Sequence, residues 1–255
     1  MLSVITITYN NFEELKETIK SLGSFKNMES IIVNGGQCQK TKKFLKGYNG
    51  ITISEPDKGI SDAFNKGVEA ATGKYIVFLN SGDKLIDKNY YSNAIEVFSN
   101  DPNIDYIYAD VNFEHSIHGL IRVYPKFPPN GKMPFMHLSL ITRKEIFRDI
   151  GDFDLNFKIA MDFDWVYRMI SRNYKGFYYR KAPVVYMNGE GISSNNAIQG
   201  LKERIKALRK NKMLSLKEGA YLGNLWLKSI ARNILAYIGL LSFYDKIRSK
   251  YRKTH

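Results

Sequence analysis

The 255-residue chain contains one cysteine, Cys38. A single thiol cannot close an internal disulfide, which excludes a disulfide-stapled secreted scaffold and a cysteine-ligated zinc finger. No run of about 18 uncharged apolar residues occurs, so no ordinary membrane-spanning helix is expected. Met1–Thr6 shows neither a basic cluster ahead of an apolar run nor a small-residue cleavage site; no signal peptide is predicted, and the expected compartment is the cytoplasm. No G-x-G-x-x-G follows the first predicted strand, and no G-x-x-x-x-G-K-[ST] occurs anywhere. Both a dinucleotide-binding Rossmann domain and a P-loop nucleotidase are disfavoured. Internal repeats and low-complexity segments are also missing. What the chain does have is apolar material, 44% hydrophobic and 13% aromatic residues. That suffices for a packed core and excludes global disorder. The length suits one domain, or one domain with an appendage.

The net charge of +13 is unevenly placed. Residues 1–200 hold 24 Lys+Arg against 22 Asp+Glu, whereas residues 201–255 hold 14 against 3. A nearly neutral body therefore carries a strongly basic C-terminal region. Such a region favours a polyanion, either nucleic acid or an anionic membrane face. No nucleic-acid-binding motif accompanies the charge, so nucleic acid is not expected as a partner.

Strand and helix patterns alternate over the first 110 residues. Strands are predicted at Leu2–Thr8, Ser30–Val33, Ile51–Ser54, Tyr75–Leu79 and Ile104–Val111. Helices are predicted from Phe12 to Leu22 (capped by Asn10 or Asn11, stopped by Gly23), around Thr41–Tyr48, from a Ser61 cap through Ala71 with Gly73 as the stop, and over Lys88–Ser99. Tyr75–Leu79 is apolar throughout, as in a strand buried on both faces. This alternation implies an α/β fold with a mainly parallel sheet. Residues 112–160 are less regular, with a loop marked by Pro125, Pro128, Pro129 and Pro134. A helix at Asp162–Ser171, short strands at Phe177–Arg180 and Pro183–Met187, a polar loop at Asn188–Asn196, and helices at about 197–211 and 216–248 complete the reading.

The polar residues Thr8, Tyr9 and Asn10; Asn34, Gly35 and Gly36; Glu55, Pro56 and Asp57; and Asn80, Ser81, Gly82 and Asp83 follow four successive strands. All four groups fall at strand carboxyl ends, where open α/β sheets bind ligands. The segments Thr6–Asn10, Ile32–Gly36, Ser54–Gly67 and Ala71–Asp83, in this order and register, resemble a family 2 glycosyltransferase of the bacterial branch that builds surface polysaccharides. The resemblance runs from residue 2 to about 195. It implies a GT-A fold over residues 1–200, with a nucleotide-sugar half at about 1–111 and an acceptor half at about 112–200. It also implies a nucleotide-sugar donor, UDP-linked in most relatives, a lipid-linked saccharide acceptor, and inversion at the anomeric carbon. Thr8, Tyr9, Asn10, Asn34, Asp57, Asn80 and Ser81 match the family's nucleotide-binding positions. Asp83 matches its metal-binding Asp, implying Mn²⁺ or Mg²⁺, since a hard cation stabilises a diphosphate leaving group.

The acceptor hydroxyl needs a base, because it is a weak nucleophile at neutral pH. Ile159–Trp165 resembles the segment that supplies it, and Asp162 matches the usual base. Asp164, two residues on, cannot share a helix face with Asp162, so only one of the two can point at the acceptor oxygen; Asp162 is favoured and Asp164 is the alternative, placed by the resemblance in the acceptor region. His137 and the loop containing Gly191 and Ser193 match positions near the acceptor or the diphosphate. The chain departs from the family pattern at Asn34, Gln37–Gln39, Asn80 and Gly82, where relatives carry acidic or Ser-x-Asp residues. These departures keep open the alternative of a catalytically disabled nucleotide-sugar-binding or membrane-assembly protein. Beyond residue 200, Tyr221, Leu222, Leu225, Trp226, Ile230, Ile234, Leu235, Ile238 and Leu241 recur at helical spacing beside Lys228, Arg232 and the basic residues 246–253. This amphipathic pattern fits a helix lying in the inner face of the cytoplasmic membrane. It fits equally a stripe packed on the enzyme's own core or on a second copy in a homodimer.

Overall fold

The computed structural model describes residues 1–23, 26–115, 119–189 and 196–237. The N-terminal part alternates as its patterning requires: β1 (Leu2–Thr8), α1 (Phe12–Leu22), β2 (Met28–Asn34), α2 (Gln39–Lys46), β3 (Ile51–Ser54), α3 (Ile60–Ala70) and β4 (Tyr75–Phe78). Then come β5 (Lys84–Leu85), α4 (Tyr90–Asn100), β6 (Tyr106–Ala109), β7 (Val111–His115) and β8 (Gly119–Val123). A single 3-10 turn at His137–Ser139 leads into β9 (Ile141–Arg143), α5 (Glu145–Ile150), α6 (Met161–Ser171), β10 (Gly176–Tyr179) and β11 (Val185–Met187). Two helices, α7 (Ala197–Lys210) and α8 (Leu216–Tyr237), end the described chain.

Seven strands form the main sheet in the order β10-β6-β9-β4-β1-β2-β3. β1 is an interior strand next to the central β4, paired in parallel with β2 from Leu2↔Met28 to Thr8↔Asn34 and with β4 from Leu2↔Tyr75 to Ile5↔Phe78. β1 and β2 end together at Thr8 and Asn34, and the chain after β4 continues beside β1 through the Leu79 and Ser81 N–H bonds to Ile5 O and Ile7 O, so the following loops gather at one edge. β9 alone runs antiparallel, between β4 and β6. It is too short, at three residues, for a periodic signal to reveal it. A second sheet, β5-β11-β7-β8, crosses the end of the first.

Three expectations are corrected here. Ile104–Val111 is two strands in different sheets. The chain changes sheet at Asp110, whose carboxylate is 1% exposed with its residue and is held by Arg122 Nε at 2.7 Å and by the Tyr178 hydroxyl. Ser61 does not cap α3; Gly59 holds that position, and the Ser61 hydroxyl donates 2.8 Å to the Phe157 carbonyl. The same helix stops at Ala71 in extended conformation, before Gly73.

Packing explains the tight helix–sheet contact. A Cβ on Gly67 would lie 2.3 Å from Ile5 Cγ2, so only glycine lets α3 seat on β1. An aromatic seam continues the core: Phe64 stacks on Phe78 at 4.4 Å, and Phe147 on Trp165 at 4.4 Å. Such pairs contribute about 0.5–1.5 kcal/mol beyond their buried area. Leu201, Ala207 and Leu208 of α7 and Leu222 of α8 belong to this same core, so the first turns of the basic region are built into the body.

Candidate active site

The carboxyl edge of β1–β4 carries the predicted nucleotide residues, in two roles. Tyr9, 68% exposed, stands at the rim of the cleft. Asn10 takes a left-handed φ of 55°, and its Oδ1 accepts the Gln37 and Cys38 N–H groups at 2.8 and 3.0 Å. Asp57 accepts the Gly59 N–H at 3.0 Å and lies directly over Gly35, where a Cβ would sit 1.6 Å from its Oδ2. Thr8 and Asn34 are buried instead. The Thr8 hydroxyl donates 2.6 Å to Asn11 Oδ1, which also accepts the Tyr9 N–H. Asn34 spends its amide within the protein: Nδ2 donates to Gly36 O and Ser54 Oγ, and Oδ1 accepts the Gly36 N–H. Asn34, expected among the nucleotide-binding positions, is thus turned inward in this structure. With its polar atoms engaged and its surface closed, it braces the β2 loop.

The turn Asn80–Asp83 after β4 is held from below by Thr18 of α1. Its hydroxyl accepts the Gly82 N–H at 3.0 Å and lies 2.8 Å from the Asp83 carbonyl. Nothing in the sequence singles out Thr18. Ser81 is half-buried, and its N–H donates to Ile7 O. Asp83 is 6% exposed; its Oδ1 accepts the Asn188 N–H at 3.1 Å. Burial, only partly offset by that bond and by nearby His137, pushes its carboxyl up to about 7. The Asn80 Oδ1 is buried without a partner. Among the described residues, no group of three or more His, Cys, Asp or Glu is placed to hold a metal ion. The two under-satisfied oxygen donors, Asp83 and Asn80 Oδ1, nevertheless suit a hard cation that takes its remaining ligands from a bound diphosphate.

His137 joins this turn to α6. Its Nε2 lies 3.4 Å from Asn80 Nδ2, and its Nδ1 lies 3.1 Å from Asp162 Oδ2. A proton on Nδ1 satisfies both contacts, donating to the carboxylate while Nε2 accepts from Asn80. Burial opposes charge on this pair. The hydrogen bond between them prevails, raising the His137 pKa and lowering that of Asp162. The Phe163 N–H adds a 2.7 Å bond to Asp162 Oδ1. Asp162 also stands in the first turn of α6, where the helix dipole favours a carboxylate. It is thus ionised at neutral pH, as a base must be, and oriented from two sides.

Asp164 goes elsewhere, a further correction. It is fully buried and paired with Arg168 Nε at 3.0 Å and Lys210 Nζ at 3.3 Å, with Asn211 Nδ2 at 3.2 Å. A two-residue step turns a helix by about 200°, so Asp164 pins α6 to α7 on the side away from Asp162. Gly191 and Ser193 lie outside the described residues.

Glu203 of α7, which sequence reasoning missed, fixes the segment just before Asp162. Its carboxylate accepts the Lys158, Ile159 and Ala160 N–H groups at 3.2, 2.8 and 2.9 Å, and the Gln199 amide at 3.0 Å. Burial would raise its pKa, yet these donors hold it below the usual range. One signal was present: Glu203 is one of only three acidic residues in the basic stretch 201–255.

With this geometry in view, the comparisons with known proteins agree. The family model for glycosyl transferase family 2 matches residues 3–172. An uncharacterized glycosyltransferase of Mycobacterium tuberculosis is 29% identical over 179 residues, 66% of this chain and 68% of that protein. A PGL/p-HBAD biosynthesis glycosyltransferase of Mycobacterium bovis is 25% identical over 240 residues, 91% of this chain and 93% of that one. Among solved structures, S. aureus TarS 1-349 in complex with UDP-GlcNAc superposes with a TM-score of 0.65 at 17% identity, covering 88% of this chain and 70% of that chain. The mannosyltransferase PcManGT from Pyrobaculum calidifontis, in complex with GDP-Man and Mn2+, gives 0.60 at 15%, covering 98% and 79%. These likenesses show the GT-A fold, and the family match over two thirds of the chain shows that it belongs to glycosyl transferase family 2.

Proposed function

We propose that this glycosyltransferase moves a single hexose or N-acetylhexosamine from a nucleotide sugar, UDP-linked, to a hydroxyl of a lipid-linked saccharide in bacterial surface-polysaccharide synthesis, with inversion. The observation that carries this reading is the polar line Asn80–His137–Asp162, which ties the turn bearing Asp83 to the carboxylate at the start of α6. Tyr9, Asn10, Asp57 and Ser81 border the donor cleft. Asp83 and the orphaned Asn80 Oδ1 would hold a Mn²⁺ or Mg²⁺ ion, which supplies positive charge to a departing diphosphate. Asp162 takes the acceptor hydroxyl's proton as that oxygen bonds to the anomeric carbon and the nucleoside diphosphate leaves with the other electron pair. His137 keeps Asp162 ionised and aimed.

The C-terminal helix supports a membrane-surface location. Tyr221, Leu222 and Leu225 pack on the body. Leu216, Leu227 and Ile234, spaced 11 and 7 residues apart, share another face and are 94%, 61% and 55% exposed, with Trp226 40% exposed beside them. Exposed Lys217 and Lys228 border that face. Among the described residues no helix is long and apolar enough to cross a membrane, so this face would lie along the surface. Each basic residue near anionic lipid adds about 1 kcal/mol.

The test is transfer from UDP-sugars by Asp162→Asn. General-base catalysis is typically worth about 10²–10⁴-fold. A loss of that size in kcat with donor KM unchanged supports the assignment. Retention of more than about a tenth of wild-type turnover would mean that another group takes the proton.

A further inference from the structure

A cavity of about 270 Å³ opens beside Asp162, walled by α6, α7 and α8. Met133, Ile159, Phe163, Leu201 and Leu225 give it an apolar wall, and Asp162, Arg204 and Ser229 are polar points, so its lining is polar and apolar in about equal share. Asp83, Asn80 and His137 do not line it. It therefore reaches the base without including the donor-turn residues or His137.

Arg204 is the unexplained group. It is half-buried, and its guanidinium lies over the Phe163 ring at 5.6 Å. Among the described residues it forms no ion pair, although the body is otherwise well supplied with carboxylates. A planar cation resting on an aromatic face keeps its N–H edge available for a bidentate anion. Its charge favours the ionised form of Asp162, but it forms no ion pair with that carboxylate, which is bonded to His137 and the Phe163 N–H.

We infer that this cavity is the acceptor seat, and that Arg204 binds a phosphate of the acceptor. Its occupant is an amphiphile: a hydroxyl reaching Asp162, an anionic phosphate on Arg204, and an apolar segment against Met133, Leu201 and Leu225. The inference rests on the glycosyltransferase reading and adds to it where the acceptor sits and which side chain selects it. Two sequence neighbours on α7 thus serve the same site, Glu203 by holding the segment that leads into Asp162 and Arg204 by reading the acceptor's charge.

The experiment measures binding to the full-length protein by calorimetry. The probes are decyl phosphate, uncharged decyl glucoside and, separately, UDP with Mn²⁺. Charge-assisted bonds of this kind are typically strong enough that losing them weakens binding about tenfold or more. The expected result is that decyl phosphate binds tighter than decyl glucoside, that Arg204→Gln removes the preference by about that factor, and that Arg204→Lys restores part of it. UDP affinity stays within about twofold in both variants. Arg204→Lys keeps the charge and the stem, so it guards against a general folding defect in the glutamine variant. Unchanged decyl phosphate binding in Arg204→Gln, or equal binding of both decyl probes by wild type, would overturn the inference while leaving the donor reading intact. A fall in UDP affinity with decyl phosphate unaffected would also overturn it, assigning the arginine to the donor diphosphate. If no UDP binding is seen in wild type, it is the glycosyltransferase reading that fails, whatever the decyl probes do.

Discussion

Replacing Glu203 should damage both stability and turnover, because one carboxylate gathers three backbone N–H groups and an amide in a site only 4% exposed. Hydrogen bonds to charged groups contribute about 1.5–3 kcal/mol each when removed singly. The four share one carboxylate and are not additive, and water can enter to reach some donors. Glu203→Ala should therefore cost about 3–5 kcal/mol and Glu203→Gln, which keeps one acceptor oxygen, about 2–3 kcal/mol. For a chain of this size, that is a fall in Tm of roughly 4–10 °C for the glutamine variant. Urea titration measures the first quantity and a thermal melt the second. The pH dependence gives an independent sign. The folded pKa of Glu203 lies below its unfolded value, so its contribution is fully present above the unfolded pKa and is lost as pH falls through the folded one. The gap between wild type and Glu203→Gln should be constant near neutrality and close in acid. Because the clamped segment leads into Asp162, kcat should fall in Glu203→Gln while donor KM holds. An alanine variant within 0.5 kcal/mol of wild type, or a stability gap that widens in acid, would refute this reasoning.

Other expectations follow from the same geometry. Thr18→Val keeps the shape but strips the hydroxyl under the Asn80–Asp83 turn; it should cost about 1–3 kcal/mol by urea titration and lower donor affinity. Asn80→Asp adds a second carboxylate beside Asp83 and should lower the Mn²⁺ concentration for half-maximal transfer by about tenfold or more; an increase would show that Asn80 does not face the ion. Leu227→Asp, on the exposed face of α8, should reduce co-sedimentation with anionic vesicles and leave the melt of the body unchanged.

The strands of the donor half were legible because each is a β-branched or aromatic run bounded by Asn, Gly or Pro, and because a parallel sheet places its loops at one edge regardless of side-chain detail. The roles proposed for Asp83 and Asp162 rest on the order and spacing of neighbouring motifs, which no local pattern around either residue supplies by itself. β9 is hidden by its three-residue length, and the sheet change at Asp110 because strand-forming residues stand on both sides of it, Tyr106–Ala109 and Val111. Asn34 and Thr8 are buried and bonded within the protein, an arrangement the sequence does not foretell, since a polar residue at a strand end looks the same whether it faces a ligand or braces its own loop. The helical period keeps Asp164 from joining Asp162, but its partners, Arg168, Lys210 and Asn211, come partly from a helix some 46 residues away. Glu203 and Arg204 act across a comparable distance, and no local pattern encodes that pairing.

The central claim is that the carboxyl edge of the sheet holds a nucleotide diphosphate through a cation on Asp83. Thermal stabilisation by UDP, GDP, dTDP and CMP, each with and without Mn²⁺, on wild type and Asp83→Ala, tests it most directly. A ligand present at 100 times its Kd adds about 2.7 kcal/mol, a readily measured shift. The account predicts stabilisation by UDP that requires both Mn²⁺ and Asp83. Stabilisation that persists in Asp83→Ala, or no shift with any nucleotide, would contradict it.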